Sequence, residues 1–519
     1  MRIERTKNAA RNIVFGVILK AYQILVPFLM RTAMIYLMGV QYLGLSSLFA
    51  SILQVLNLAE LGVGTAMVYS MYKPIAEDDH NTICALLKLY KIYYRVIGLV
   101  IAVIGCVLTP FIPYLIKSDV PAGINIHILY LLNLAATVLS YWLFAYKGAL
   151  LQAHQRTDLT SKVTILVTTL QYGSQLAVLW AFKSYYLYVI VMLISQVFTN
   201  IITAFVASKT YPKYQSRGEL DKHTVKQINR KIIDVFTSKL GTVLGTSVDS
   251  IVISACLGLS MLAIYQNYFY IMNSVIGFII VIFTSITAGI GNSLVVETDE
   301  KNYSDFSTLT FMIIWISVVC ISCFACLYQP FMRIWVGEDL LLPNTMVALL
   351  CLYFYLYVMQ SLSCVYKDAA GIWHQDRFRP LIAGILNLIL NLTFVKIWGI
   401  YAIILSTIIS YIFVAMPWVI KNLFKYVFHR SPVEYAMELL KGVVLSAIIA
   451  SICWLVCSLI RLQGIVAIIL FLILALLISN VLLFLLYKRN SNFMAMLNII
   501  DKMTKYKFVK ITNTLIRET

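Results

Sequence analysis

A chain of 519 residues with 61% hydrophobic and only 12% charged side chains is too apolar for a soluble domain, which carries roughly twice that charge. Mean hydropathy is +0.85, and apolar runs near or above the roughly twenty residues that cross hydrocarbon follow one another along its length. Composition therefore excludes a soluble protein and predicts a polytopic, all-α integral membrane protein.

Fourteen spans are expected, near 12–38, 44–71, 83–112, 123–150, 162–182, 184–208, 231–257, 262–295, 306–328, 345–370, 379–396, 398–420, 438–460 and 464–487. The first run is longer than the apolar core of a signal peptide, and no small-residue cleavage site closes it. The net charge of +18 follows the same arrangement. With a cytoplasmic N-terminus, 33 of the 41 Lys and Arg lie in the inside segments or the inner parts of the spans, five at the outer side, and three (Lys20, Arg31 and Lys239) are counted to the spans themselves. That bias predicts both termini in the cytoplasm. The basic balance is thus a topology signal rather than a nucleic-acid footprint, with anionic lipid as a second attraction.

The first span carries Lys20, Gln23, Pro27 and Arg31 within about 80° of one another on a helix. A charge at mid-membrane costs roughly 2.5–3.5 kcal/mol, so this stripe should face protein or water. Snorkelling of Lys20 and Arg31 toward opposite surfaces is the rival reading. The second span places Ser46, Asn57, Glu60 and Gly64 within about 60° of arc. Glu60 is expected to pair with a cation of the first span, or to handle a ligand or proton. In the fourth, Asn133, Ser140 and Lys147 recur at seven-residue steps on one side. The seventh puts Asp234, Ser238, Gly241, Thr242, Gly245 and Asp249 on one face, with Lys239 flanking it. Small residues there let another helix approach closely. Asp249 lies deep in its span and resists a surface explanation.

Part of the chain is written twice. Tyr146-Lys147 and His154-Gln155 recur 220 residues on as Tyr366-Lys367 and His374-Gln375, and Pro110-Phe111 as Pro330-Phe331. Gly39 returns as Gly258, Arg11 as Arg230 and Lys20 as Lys239, each 219 residues on. Fused halves of this size are too long for solenoid units. Six spans per half is an even number, so the halves should be parallel repeats. The expected divisions are a six-helix bundle over 1–215, a second over 216–430, an additional helix pair over 431–487 and a basic amphipathic tail over 488–519. Lys367 shares a face with Tyr353, Gln360 and Ser363, and the same charge at the same place in both halves suits a pseudo-symmetric site.

Other chemistry is lacking. Cys320, Cys323 and Cys326 have ligand-like spacing but sit in an apolar run without a nearby His or acid, so they read as small buried hydrophobes, and no metal is expected. No glycine-rich phosphate loop occurs in a polar segment, which leaves ATP-driven transport unsupported. No nucleophile stands beside a base. The longest outer connection, Gln329 to Asn344, is too short for the catalytic groups of a membrane polymerase. An enzyme is disfavoured.

Several segments resemble the polysaccharide transporter family, the Wzx-type flippases of the MATE/MurJ-like MOP superfamily. They are Tyr42-Leu43-Gly44-Leu45, Leu58-Ala59-Glu60-Leu61-Gly62-Val63-Gly64, Tyr72-Lys73-Pro74-Ile75-Ala76-Glu77 and Ala145-Tyr146-Lys147. In the second half they are Thr246-Ser247-Val248-Asp249-Ser250, Leu257-Gly258 with Tyr265, and Pro330-Phe331 with Trp335-Val336-Gly337. The resemblance implies two six-helix bundles around a cavity open to each side in turn. It also implies a cargo of undecaprenyl-pyrophosphate-linked oligosaccharide, for capsule or exopolysaccharide, in a bacterial plasma membrane. Lys20, Arg31, Lys147, Lys239 and Lys367 would escort the pyrophosphate, while Glu60 and Asp249 would balance charge or bind a coupling H+ or Na+. No other cofactor is implied. A polysaccharide polymerase and a chain-length regulator are the companions expected, besides membrane lipid. A cation-coupled MATE-type drug exporter is the competing expectation, and teichoic-acid, O-antigen or lipid II units are alternative cargoes.

Overall fold

A computed structural model describes residues 5–503 except 61, 118, 119 and 122. Side chains of residues 5–14, 17, 59, 234, 235, 237–239, 242, 244–246, 288, 500, 502 and 503 lie outside that description. Asp234, Ser238, Lys239, Thr242 and Gly245 of the expected seventh-span face are among them, and Phe508 and Ile511 of the tail lie outside the described residues.

The elements in order are α1 (Arg5–Leu37), α2 (Val40–Leu56), α3 (Val63–Ala76), α4 (His80–Leu108), α5 (Ile126–Trp142), α6 (Tyr146–Ala153), α7 (Thr157–Phe182), α8 (Tyr185–Thr210) and α9 (Lys222–Leu257). There follow α10 (Leu259–Val296), α11 (Asp299–Val336), α12 (Asn344–Ala369), α13 (Trp373–Asp376), α14 (Arg379–Trp398) and α15 (Ile400–Ser410). The chain closes with α16 (Met416–Tyr426), α17 (Val433–Ser458), α18 (Gly464–Tyr487) and α19 (Ser491–Met503).

Among the described residues eleven helices are long and apolar enough to cross a membrane, or twelve if α5 and α6 form one bent span, against the fourteen spans expected. This is a multi-pass membrane protein. The expected spans are mostly helical over their described residues, and two depart from simple crossings. The second is interrupted by a 3-10 turn at Asn57–Glu60, after which Gly62 takes φ 102°. The expected face from Ser46 to Gly64 therefore does not continue, because the break rotates α3 away from the register of α2. In the fourth, Phe144 takes φ 58° and α6 turns 54° from α5. Lys147 is thereby taken off the line of Asn133 and Ser140.

The repeat leaves a backbone signature. Gly39 ends α1 and opens α2 at φ 111°, and Gly258 divides α9 from α10 at φ 97°. Only glycine adopts such a conformation without strain. Pro110 and Pro330 differ: the first copy loosens into a 3-10 turn at Thr109–Leu115, whereas α11 runs on to Val336. The connection expected from Gln329 to Asn344 shrinks accordingly.

Compactness divides the chain differently from the repeat. One unit holds Met1–Asn267 with Pro380–Ile403, the other Tyr268–Arg379 with Ile404–Thr519. In the first unit α1 packs on α7, α2 on α9, and α4 on α3 and α5. Gly241 of α9 lies against the backbone of Pro380 and Leu381 in α14, as the small-residue face predicts. In the second unit α11 is the central helix, packed by α12, α17, α18 and α19. The amphipathic start of the tail buries Phe493 and Met496 against Phe311, and Phe493 stacks on Trp315 at 5.5 Å. That apolar face meets protein rather than a membrane surface.

Candidate functional site

Within the first unit, the sequence-predicted charges fall into five places. Arg31, half-buried in α1, donates from Nε and Nη2 to Asn267 Oδ1 at 3.3 and 3.2 Å. Lys20 is half-buried one end of the stripe away, about 16 Å along the axis at 1.5 Å per residue. It has no hydrogen-bond partner among the described residues. A helix holds the two cations apart, so they do not form one cluster.

Glu60 does not pair with a cation among the described residues. Its carboxylate accepts from Tyr94 Oη at 2.6 Å and Tyr141 Oη at 2.7 Å. Tyr90 in turn donates to Tyr94 at 2.7 Å. The tyrosines come from α4 and α5, so the 3-10 turn that carries Glu60 is anchored to both. Sequence reading missed them, although Tyr90 and Tyr94 are spaced i, i+4 and must share a helix face.

Lys147 donates to Ser208 Oγ of α8, and its charged neighbour is Lys91 of α4. The Lys91 ammonium sits 6.0 Å from the centre of the Tyr146 ring. Among the described residues neither lysine has a carboxylate partner. Cations without carboxylate partners in a helical membrane protein favour an anion beside them.

Asp249 is the fifth place. Its side chain is buried, and Asn391 Nδ2 of α14 donates to it at 2.6 Å while also reaching Asn387 Oδ1 at 3.1 Å. The i, i+4 pair Asn387 and Asn391 was a legible signal, but only the packing of α9 on α14 aims it at an aspartate.

In the second unit, Lys367 is buried inside an ion network. Its Nζ lies 2.7 Å from Asp368 Oδ1 and 3.4 Å from Asp376 Oδ2. Arg379 grips Asp376 in a two-point fork, with Nε 2.7 Å and Nη2 2.9 Å from its oxygens. The first copy places a smaller pair at the corresponding corner, where Arg156 Nε lies 2.9 Å from Asp158, itself only 1% exposed. Lys147 and Lys367 therefore share a motif but not an electrostatic state. The second is already neutralised by its own acids. Lys239 lies outside the described side chains.

The repeated histidines differ as well. His154 is buried, its Nδ1 2.9 Å from Leu150 O, with its ring 4.2 Å from that of Tyr211. His374 is exposed beside Arg377. Burial holds the His154 imidazole below the ordinary histidine pKa. The unfolded chain thus takes up a proton that the folded corner refuses. Stability from this source is complete above roughly pH 6.5 and lost as pH falls toward the folded value. Thermal unfolding followed at about pH 7.5 and 5.5 should show a larger drop for the wild type than for His154→Gln. Equal drops would assign the effect to other groups.

Among the described residues no cluster of three or more His, Cys, Asp or Glu could hold a metal ion. Cys326 of α11 and Cys457 of α17 are both buried.

No family model and no curated protein sequence matches the chain. Solved structures do. A lipid II flippase, MurJ, in an inward closed conformation is 15% identical, with 92% of this chain and 99% of that one covered at a TM-score of 0.65. An inward-facing multidrug resistance MATE family transporter of the MOP superfamily is 13% identical over 82% of this chain and 99% of that one, with a TM-score of 0.60. A MOP superfamily transporter from Pyrococcus furiosus is 12% identical over 82% and 97%, with a TM-score of 0.52. At these identities the likeness establishes the fold, which is all-helical and of the MurJ and MATE type.

Proposed function

We propose that this protein is a flippase that carries an undecaprenyl-pyrophosphate-linked oligosaccharide between leaflets by alternating access, for capsule or exopolysaccharide assembly in a bacterial plasma membrane. The observation that carries the reading is Lys147, which donates to a serine hydroxyl and has no carboxylate partner among the described residues, with the Lys91 ammonium 6.0 Å from the ring of the adjoining Tyr146. A pyrophosphate cannot enter hydrocarbon without replacement of its lost hydration. Ammonium and guanidinium donors replace it with short, charge-assisted hydrogen bonds. Lys147 and Arg31 are the principal contacts in this reading, and Lys20 and Lys239 extend the path along their helices. Lys367, with its charge matched, braces the second unit and takes up the anion only if its acids let go. Glu60 and Asp249 balance charge or take up a coupling H+ or Na+. The likeness to a lipid II flippase supports the cargo class through the fold alone. The protein works without nucleic acid, in contact with membrane lipid, and hands its cargo to a polymerase and chain-length regulator.

Flipping of a fluorescent undecaprenyl-pyrophosphate oligosaccharide in proteoliposomes tests this. Wild type should transport it, and Arg31→Ala and Lys147→Ala should each lose on the order of tenfold or more, as removal of a charged contact worth about 1.5–3 kcal/mol implies. Transport that survives both changes would remove these residues from the path. A second reading, a cation-coupled multidrug exporter, draws on the two acids within the first unit, Glu60 among its tyrosines and Asp249 beside Asn391. Ethidium exchange in place of lipid flipping would establish it.

A further inference from the structure

The first unit contains a cavity of about 470 Å3 whose wall includes Glu60, Tyr69, Tyr72, Tyr90, Tyr94 and Gln152. It is formed by α3, α4 and α6 around the 3-10 turn, within one compact unit. Four tyrosines around one carboxylate is an unusual lining, and the roles described so far use only part of it. Tyr90, Tyr94 and Tyr141 orient Glu60 through hydrogen bonds. Tyr69 and Tyr72 do not. They stand 61% and 45% exposed, their rings edge to face at 6.2 Å. Large aromatic faces left open beside a fixed polar group are what a ligand-binding wall requires.

The chemistry of the wall selects among ligands. An ionised carboxylate offers roughly four acceptor positions, and Tyr94 and Tyr141 occupy one on each oxygen. The remaining positions accept from hydroxyl groups. Tyr90 passes its proton toward Tyr94, which leaves its own oxygen as a further acceptor. Gln152 offers both a donor and an acceptor. Glycine at position 64 keeps the floor open: a Cβ there would sit 3.0 Å from Tyr90 Oη. Ring faces for C–H surfaces and a mixed set of acceptors and donors for hydroxyls describe a carbohydrate site. An organic cation would also suit tyrosines and a carboxylate. However, Lys231 Nζ already lies over one face of the Tyr69 ring, 4.5 Å from its centre; a ligand is left the rest of Tyr69, still 61% exposed, and Tyr72, beside a cation that would repel a second one.

We propose that this cavity binds the glycan of the cargo, with one or two sugar rings stacked on Tyr69 and Tyr72 and their hydroxyls donating to Glu60. The inference rests on the flippase reading and adds to it a part of the protein that recognises sugar rather than phosphate or lipid. The Lys91 and Lys147 pair lies on the same two helices, α4 and α6, as Tyr90, Tyr94 and Gln152. Head-group phosphate and glycan are thus received by neighbouring parts of one unit.

The test compares two ligands on the full-length protein in nanodiscs of phosphatidylethanolamine and phosphatidylglycerol. One is the lipid-linked glycan pool extracted from the cells that make the protein, and the other is undecaprenyl pyrophosphate without sugar. Wild type should bind the glycan lipid more tightly. Tyr69→Ala with Tyr72→Ala should erase that preference, a loss on the order of tenfold from two stacked rings, with binding of the sugar-free lipid unchanged. Tyr69→Phe with Tyr72→Phe, which keeps the faces, should retain most of it. A preference that persists in the double alanine variant overturns the sugar site and leaves the flippase reading intact. Wild type that binds neither lipid overturns both. Ethidium bound in place of glycan lipid, and lost with the same two alanines, makes the cavity a cation site and overturns the carbohydrate assignment.

Discussion

Asp376→Asn is expected to destabilise the protein by about 3–5 kcal/mol, the usual consequence of removing one partner from a buried ion network. Asp376 is 3% exposed and takes the forked guanidinium of Arg379 together with Nζ of Lys367. Asparagine keeps the shape but withdraws the charge, so two buried cations are left to Asp368, which is half exposed. Denaturant unfolding in detergent micelles would measure the change. Adding Lys367→Met to Asp376→Asn should recover part of the loss, because one unmatched charge is then gone. A single variant within about 0.5 kcal/mol of wild type would mean that water or lipid head groups reach the network and that the pairing is not what holds α12 to the start of α14.

Gly241→Ala is the second large effect. A Cβ at this position would stand 2.1 Å from the Pro380 carbonyl carbon and 2.3 Å from the Leu381 nitrogen. Backbone atoms cannot rotate aside, so α9 and α14 must separate. The cost should reach the upper end of the roughly 1–3 kcal/mol of overpacking, or exceed it. The same separation stretches the 2.6 Å contact between Asn391 and Asp249, so loss of stability and disturbance of Asp249 arrive together. Gly289→Ala is the matched comparison. It lies in a helix with nothing within 4 Å of a new Cβ, and alanine there should stabilise by about 0.5–1 kcal/mol. Similar melting shifts for the two variants would overturn the close-approach argument.

Most of the fold was legible because hydropathy and helical period are local. Runs of apolar residues announce membrane helices whatever surrounds them, and the small face of α9 announces a close neighbour without naming it. Departures came where a local backbone choice broke a long run. The turn at Asn57–Glu60 and the positive φ of Phe144 each ended a face that simple periodicity extends. No periodic pattern carries that information, since one residue in the left-handed region redirects every side chain after it.

The candidate site was less legible, and the repeat shows why. Residues 146–147 and 366–367 are the same dipeptide, Tyr-Lys, and alone they predict the same role twice. The membrane class, the duplication, the glycine breaks at Gly39 and Gly258 and the charged positions within apolar runs were determined by the sequence by itself. Only the tertiary structure decided what each charge meets. Lys367 is matched because the turn at Gly371 brings Asp376 back beside it, while Lys147 meets a serine hydroxyl of another helix. Glu60, expected to meet a cation, meets tyrosines of α4 and α5 instead. The reason is physical. Helix formation depends on neighbours along the chain, whereas the energy of a charge depends on distances through space and on burial, which residues remote in sequence set when the helices pack.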